Sequence, residues 1–369
     1  MRIEGISLYH LRMKLRTPFE TSFGRIEQRD CILIEARAEG LVGYGECVAD
    51  HDPGYSYETT LTAWHILSDF LIPRVLDQDL KSPEMLQQRM SFVRGHPMAK
   101  SGLEMAWWDL NGKHLGQSLK SMLRGSRQRV EVGVSVGIQP TIPDLVRVVE
   151  GYLSQGYGRI KIKIKPGRDV AEAQAVRRAF PEVRLQVDAN SAYDLATAQD
   201  LLPLDDLDLL LIEQPLAEDD LWDHHLLQAN FKTPLCLDES ILTPRHARQA
   251  IEMGACRVIN IKTGRVGGLS LAAAIHNQCL EQGIPVWCGG MLETGVGRAA
   301  NLALASLPGF TLPGDISATH RYYEEDITHE RFELNPDSTI TVPDGAGLGV
   351  QVDPRSLART ALDQINFGL

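Results

Sequence analysis

The sequence predicts an α/β fold, a parallel (β/α)8-type barrel with an α+β domain in front of it. Three observations carry this. Eight short runs rich in β-branched and apolar residues follow one another between residues 130 and 317. Stretches with helical apolar spacing separate them, and the unit repeats at about 25 residues, the length of a strand, a helix and two short loops. The runs are VEVGVSVGI (130–138), RIKIKI (159–164), RLQVDAN (184–190), LLLIEQP (209–215), PLCLDES (234–240), RVINIK (257–262), PVWCGG (285–290) and TLPGDIS (311–317). Between them, LVRVVEGYLSQG, VAEAQAVRRAF, HARQAIEMG and LSLAAAIHNQCLEQG read as helices, several ending at a glycine just ahead of the next strand.

The flanks differ from the repeat. Residues 1–125 open with strands, including a hairpin-like ILIEARAEGLVGYGE, and continue with helical LTAWHILSDFLIPRVL and GLEMAWWDLNGKHLG. Residues 126–324 form the barrel. The irregular tail, 325–369, returns to the first domain and completes it.

Composition narrows the class of protein. A chain of 369 residues with 43% hydrophobic and 23% charged residues buries a substantial core. With 37 basic and 48 acidic residues, a formal charge of −11 and no block of like charge, nucleic acid and anionic membranes are not expected partners. The opening MRIEGISLYHLRMKL breaks its apolar residues with Arg2, Glu4, His10, Arg12 and Lys14, so it does not read as a signal peptide. Six cysteines without a CxxC pair favour reduced thiols and a cytoplasmic protein.

The chemistry emerges from the charged residues within the strands. Lys163, Asp188, Glu213 and Asp238 follow one another at intervals of 25, and Lys262 comes 24 later. Each lies near the carboxyl end of its strand, the catalytic face of such a barrel. Charges inside runs as apolar as LLLIEQP are costly to bury without partners, which disfavours a set of unrelated surface groups. Three carboxylates from adjacent strands offer hard oxygen ligands that suit Mg2+ or Mn2+ better than zinc. Asn190 and Glu239, close to these acids, are placed to orient the ligands from behind.

The KIKIK run puts Lys161, Lys163 and Lys165 on one strand face, pointing into the mouth, where crowding and a metal would depress their pKa values and favour a base. Lys262, four strands from Lys163, falls on the opposite side of the barrel. A carboxylate substrate between the two lysines, bound to a metal, would be set up for proton abstraction at its α-carbon.

At this point the residues reach a family. KIKIKPG, QVDAN, IEQPL, CLDES, NIKTGRVGG and WCGGMLETGVGRAAN resemble the o-succinylbenzoate synthase and N-succinylamino acid racemase family, in the muconate-lactonizing subgroup of the enolase superfamily. PFETSFG, GYGECVA and PMAKSGLEMAWWDL extend the likeness to the first domain. The resemblance implies metal binding by Asp188, Glu213 and Asp238, catalysis by Lys163 and Lys262, and a tuning role for Lys161. It implies dehydration of a succinyl-hydroxycyclohexadiene carboxylate, a step of menaquinone biosynthesis, racemisation of N-succinylamino acids, or both. Dimers or octamers are the expected assemblies.

Specificity is expected in the segments TPFETSFG (17–24) and CVADHDPGYSYE (47–58), which would close over the mouth. Arg265, an arginine found in the branch that includes racemases, and Ser135, Gly290, Met291 and Ile316 are expected to meet the substrate. GVGRAA (295–300) also fits a dinucleotide fingerprint, with Asp315 twenty residues on, but it sits in the seventh unit of a repeat rather than opening a βαβ fold. The single Asp315 of the eighth strand, followed by Ser317, departs from the Asp-x-Asp of dipeptide epimerases. A Schiff-base aldolase would not need three aligned acids, and a non-catalytic metal-binding barrel would not need two opposed lysines.

Overall fold

The computed structural model describes residues 1–368. Its amino-terminal domain is an antiparallel sheet of β1 (Gly5–Glu20), β2 (Arg25–Ala38) and β3 (Leu41–Cys47), joined at the free edge of β1 by the chain's last strand, Ala361–Gly368. The β2–β3 hairpin turns through Glu39 (φ 53°) and Gly40 (φ 78°), the double left-handed turn that matches strand twist. Helices cover one face, the longest being Pro97–Leu115. Gly43 and Gly45 let this helix lie directly on β3, since a Cβ at Gly45 would stand 2.1 Å from the carbonyl oxygen of Gly102. Ile6, Leu8, Ile32 and Ile34 fill the space beneath it with Leu103, Ala106 and Trp107.

Alternation along β1 changes its partner. Leu11, Met13 and Leu15 leave the core of the first domain and join that of the barrel, while Arg12, Lys14 and Arg16 face outward. The tip of the β1–β2 hairpin therefore projects over the barrel, where Ile138 N–H donates to the Glu20 carbonyl at 2.9 Å. The segment 17–24, expected as a covering loop, is the end of a long hairpin.

The barrel comprises β5 (Val134–Val136), β6 (Arg159–Lys163), β7 (Arg184–Asp188), β8 (Ile212–Glu213), β9 (Leu235–Leu237), β10 (Val258–Ile261) and β11 (Val286–Cys288), parallel and in sequence order. The expected eighth strand, 311–317, is not a regular one. Pro313 has no N–H for the ladder. The segment nonetheless bonds on both sides, Gly133 N–H to Gly314 O at 2.8 Å and Asp315 N–H to Cys288 O at 2.9 Å, and so closes the ring. Two connections also depart from the eight-unit expectation. The third is a 3-10 helix, Thr197–Asp206, with Pro203 inside it, and no α-helix follows the eighth segment directly.

The run 130–138 is two strands. Its first part, β4 (Arg129–Glu131), pairs antiparallel with β12 (Thr339–Thr341). The tail is thus divided: β12 packs on the barrel, and only Ala361–Gly368 joins the first domain's sheet. Among the described residues, no helix is long and apolar enough to cross a membrane.

Candidate active site

The charged residues at intervals of 25 become neighbours through strand register. Lys163 pairs with Asp188 across β6 and β7, and Asp188 with Glu213 across β7 and β8. Glu213 then pairs with Cys236, two residues before Asp238, where the stagger of the barrel enters.

Alternation along β6 gives Arg159, Lys161 and Lys163 one face. Lys161 Nζ lies 2.6 Å from Asp315 Oδ2, 2.8 Å from Glu213 Oε2 and 3.1 Å from Asp188 Oδ2, with the Trp287 ring beneath it. Arg159, one step deeper, holds the other oxygen of Asp315 at 2.7 Å. Lys163 donates to Asp188 at 2.6 Å and to Asn190 Oδ1 at 2.7 Å. Asn190 in turn donates through Nδ2 to Glu239 Oε1 at 2.8 Å, leaving the buried Glu239 Oε2 without a partner. Across the barrel, Lys262 donates to Asp238 Oδ2 at 2.7 Å and to the Tyr55 hydroxyl at 3.0 Å. The other oxygen of Asp238 receives the Tyr55 hydroxyl proton at 3.0 Å and contacts the Arg265 guanidinium.

Burial and these partners separate the lysines. Burial, reinforced by the neighbouring charge of Lys161, brings Lys163 below the ordinary lysine range despite Asp188. Burial acts on Lys161 in the same sense, but Asp315, Glu213 and Asp188 outweigh it and hold this ammonium above the ordinary value. Lys262 is also raised, burial being outweighed by Tyr55, Glu239 and Glu213. The expectation that crowding would depress the lysines together therefore holds for Lys163 alone. Lys165 lies past the end of β6 and pairs with Glu20 at 3.3 Å instead of entering the mouth.

Both Lys163 and Lys262 line a cavity of about 80 Å3, with Lys161, Ser135, Asn190, Gly290, Met291, Leu292 and Asp315 from the barrel. The first domain contributes Phe19, Thr21, Phe23, Ile26, Asp50 and Tyr55. Phe23 and Tyr55 also line two further cavities, of about 330 and 280 Å3. Of the expected substrate contacts, Ser135, Gly290 and Met291 line the cavity shared by the two lysines. Ile316 does not, because its side chain packs in the barrel core. Arg265 does not either: it is buried behind Asp238, donating to the carbonyls of Ile241 and Asn260, and borders the cavity beyond Tyr55.

The sequence reading missed Asn260, whose Nδ2 donates to Glu213 Oε1 at 2.7 Å, and the buried Arg159. Strand alternation could have found both, since each stands two residues before a site lysine on the same strand face. Tyr55 lies in the segment 47–58 expected to close over the mouth, and it and Asp50 do line the cavity, but its bonds to Lys262 and Asp238 had no signal in the sequence. The fingerprint-like GVGRAA opens the helix Gly295–Ala305, whose first turn is already filled by Glu46, which accepts from Thr294 N–H and, at 3.0 Å, from Gly297 N–H. No room is left there for a pyrophosphate.

No three His, Cys, Asp or Glu side chains among the described residues stand together as a ready metal cage. Asp188, Glu213 and Asp238 are each engaged by an ammonium or guanidinium group instead. Their type and placement still fit a hard divalent cation, being carboxylates at the ends of consecutive strands with the free oxygen of Glu239 close by in sequence.

A barrel of this form, capped by an α+β domain and carrying lysines on both sides of a carboxylate cluster, defines a member of the enolase superfamily. Residues 4–124 match the mandelate racemase/muconate lactonizing enzyme N-terminal domain, and residues 144–356 match the enolase C-terminal domain-like family. The chain is 52% identical over 360 residues to an o-succinylbenzoate synthase of Geobacillus stearothermophilus, covering 97% of this chain and 96% of that one. It is 51% identical over 364 residues to an N-succinylamino acid racemase of Thermus thermophilus, covering 99% and 98%. A solved enolase superfamily structure from Listeria innocua superposes with a TM-score of 0.95 at 41% identity, covering 100% of this chain and 99% of that one. The chain belongs to the o-succinylbenzoate synthase/N-succinylamino acid racemase family.

Proposed function

We propose that this protein removes the proton α to a substrate carboxylate, acting as an o-succinylbenzoate synthase and as an N-succinylamino acid racemase. The observation that carries this reading is the pair of lysines, Lys163 and Lys262, which face one cavity from strands four apart in the ring. In the dehydration, Lys163 takes the α-proton and delivers it to the departing hydroxyl, while Lys262 faces the developing negative charge as a cation. In the racemisation the two exchange roles on opposite faces of the α-carbon.

Asp188, Glu213 and Asp238 would hold Mg2+, or Mn2+, and the ion would supply positive charge to the substrate carboxylate. Asn190 and Glu239 would hold Asp188 and Lys163 in place, Lys161 would approach the carboxylate, and Ser135, Gly290 and Met291 would border the substrate. Arg265 would act through Asp238. Lys161 and Lys262, which the surrounding groups keep protonated, together with a bound divalent cation, would present positive charge to an anionic substrate in this cavity. Synthase substrate and N-succinylamino acid each carry two carboxylates. A dipeptide epimerase is the weaker reading, because the single Asp315 of the eighth segment is already ion-paired with Lys161 and Arg159 and Ser317 stands where a second acid would be. A cytoplasmic, homo-oligomeric enzyme completes the proposal.

The test is α-proton exchange in deuterium oxide with each enantiomer of an N-succinylamino acid, beside an assay for o-succinylbenzoate. Exchange of both enantiomers, lost with a chelator and restored by Mg2+, is expected. Absence of both exchange and synthase product in the metal-loaded protein would refute the reading, and a borohydride-trapped adduct would point to an imine-forming enzyme instead.

A further inference from the structure

One wall of the catalytic cavity is held in a strained shape by two buried residues that the proposed chemistry does not use. Leu292 lines the cavity with φ at 57°, a left-handed conformation that is unfavourable for a non-glycine residue. Such a conformation persists only where its surroundings impose it. Here the carbonyls on both sides are pinned: Met291 O accepts from Arg29 Nε at 3.1 Å, and Leu292 O accepts from the Tyr323 hydroxyl at 2.6 Å.

Arg29 and Tyr323 are each 1% exposed. Arg29, on β2, also donates to the carbonyls of Asp30, Val48 and Ala49 and lies 3.3 Å from Asp50, which itself lines the cavity. One guanidinium thus ties the covering domain to the loop after β11. Tyr323 reaches the same loop from the segment that follows residues 311–317.

We propose that Arg29 and Tyr323 are positioning residues that fix the Met291–Leu292 wall and thereby set which substrate side chain the cavity accepts. The inference rests on the N-succinylamino acid reading above. Without its pins, Leu292 relaxes towards ordinary backbone angles, swinging its carbonyl and side chain and loosening the apolar wall against which the substrate rests.

Tyr323→Phe removes one hydroxyl and leaves the ring in place, while Arg29→Lys keeps the charge and loses the fork of donors. Racemisation of N-succinylphenylalanine and N-succinylalanine is measured for both variants, together with amide hydrogen exchange over residues 290–294. For Tyr323→Phe we expect KM for the phenylalanine substrate to rise ~3- to 10-fold, the span of one lost hydrogen bond, with kcat within about twofold and a smaller change for alanine. Exchange in the loop should quicken in both variants. Equal losses for the two substrates, or a fall in kcat at constant KM, would overturn the proposal. If the wild-type protein racemises neither substrate, the racemase part of the functional reading fails for these side chains on its own. The exchange data then decide the positioning role, which unchanged protection at 290–294 in both variants would overturn.

Discussion

Glu46 joins the covering domain to the barrel with a carboxylate in a fully buried place, and replacing it with glutamine should change the pH dependence of stability. Burial raises this carboxyl from 4.5 to about 7, aided by the nearby charge of Glu293 and opposed by hydrogen bonds from Thr294 and by Arg29. Below pH 4.5, Glu46 is protonated in both folded and unfolded chains and contributes nothing to the difference. Between 4.5 and about 7 the unfolded chain releases its proton while the folded chain retains it, so stability falls as pH rises, and above 7 the loss is complete. At about 1.4 kcal/mol per pH unit, the loss is ~3 kcal/mol, a large share of the 5–15 kcal/mol typical of a folded domain. Glu46→Gln keeps an oxygen to accept from Thr294 and Gly297 but cannot ionise. Urea unfolding followed by circular dichroism at pH 5, 6, 7 and 8 compares the two proteins, and groups titrating in both, such as Glu58, cancel in the difference. The variant should gain about 2.5 kcal/mol on wild type between pH 5 and 8. Parallel stability curves, or a wild type that gains on the variant as pH rises, would refute the argument that burial outweighs the helix N-terminus at Glu46.

Separate Lys163→Ala and Lys262→Ala variants should each lose at least ~10^3-fold in kcat, and in deuterium oxide each should retain at most slow exchange of one enantiomer; wild-type turnover in either variant would remove the two-lysine mechanism. Tyr55→Phe deletes the hydroxyl that joins Lys262 to Asp238, and kcat/KM should fall about 10-fold with the melting temperature little changed, as steady-state kinetics and a thermal scan would report. Gly45→Ala places a methyl group 2.1 Å from the Gly102 carbonyl oxygen and should destabilise the first domain by ~1–3 kcal/mol, read from the urea midpoint.

Much of the site is legible in one dimension because strand alternation and the strand–helix repeat are local properties. The interval of 25 between Lys163, Asp188 and Glu213 corresponds to direct register across β6, β7 and β8, so equal spacing in the chain becomes adjacency in space. The same alternation, applied one step further, points to Arg159 and Asn260. It fails where backbone chemistry interrupts the repeat. Pro313 prevents a regular eighth strand, and the pairing of β4 with β12 divides the run 130–138, a pairing between residues some 200 apart that no local pattern encodes.

The sequence by itself determined the barrel, the covering domain and the polar residues at the strand ends, since each follows from short-range periodicity and from what a buried charge requires. Only the tertiary structure decided how those charges pair, that Arg265 stands behind Asp238, and that Lys163 alone among the three site lysines is lowered. It also decided that Arg29 and Tyr323 reach the site at all, and that Tyr55 bonds to Lys262 and Asp238. A pKa or a pinned carbonyl depends on groups brought within about 3 Å from distant parts of the chain, and such distances exist only once both domains have packed together.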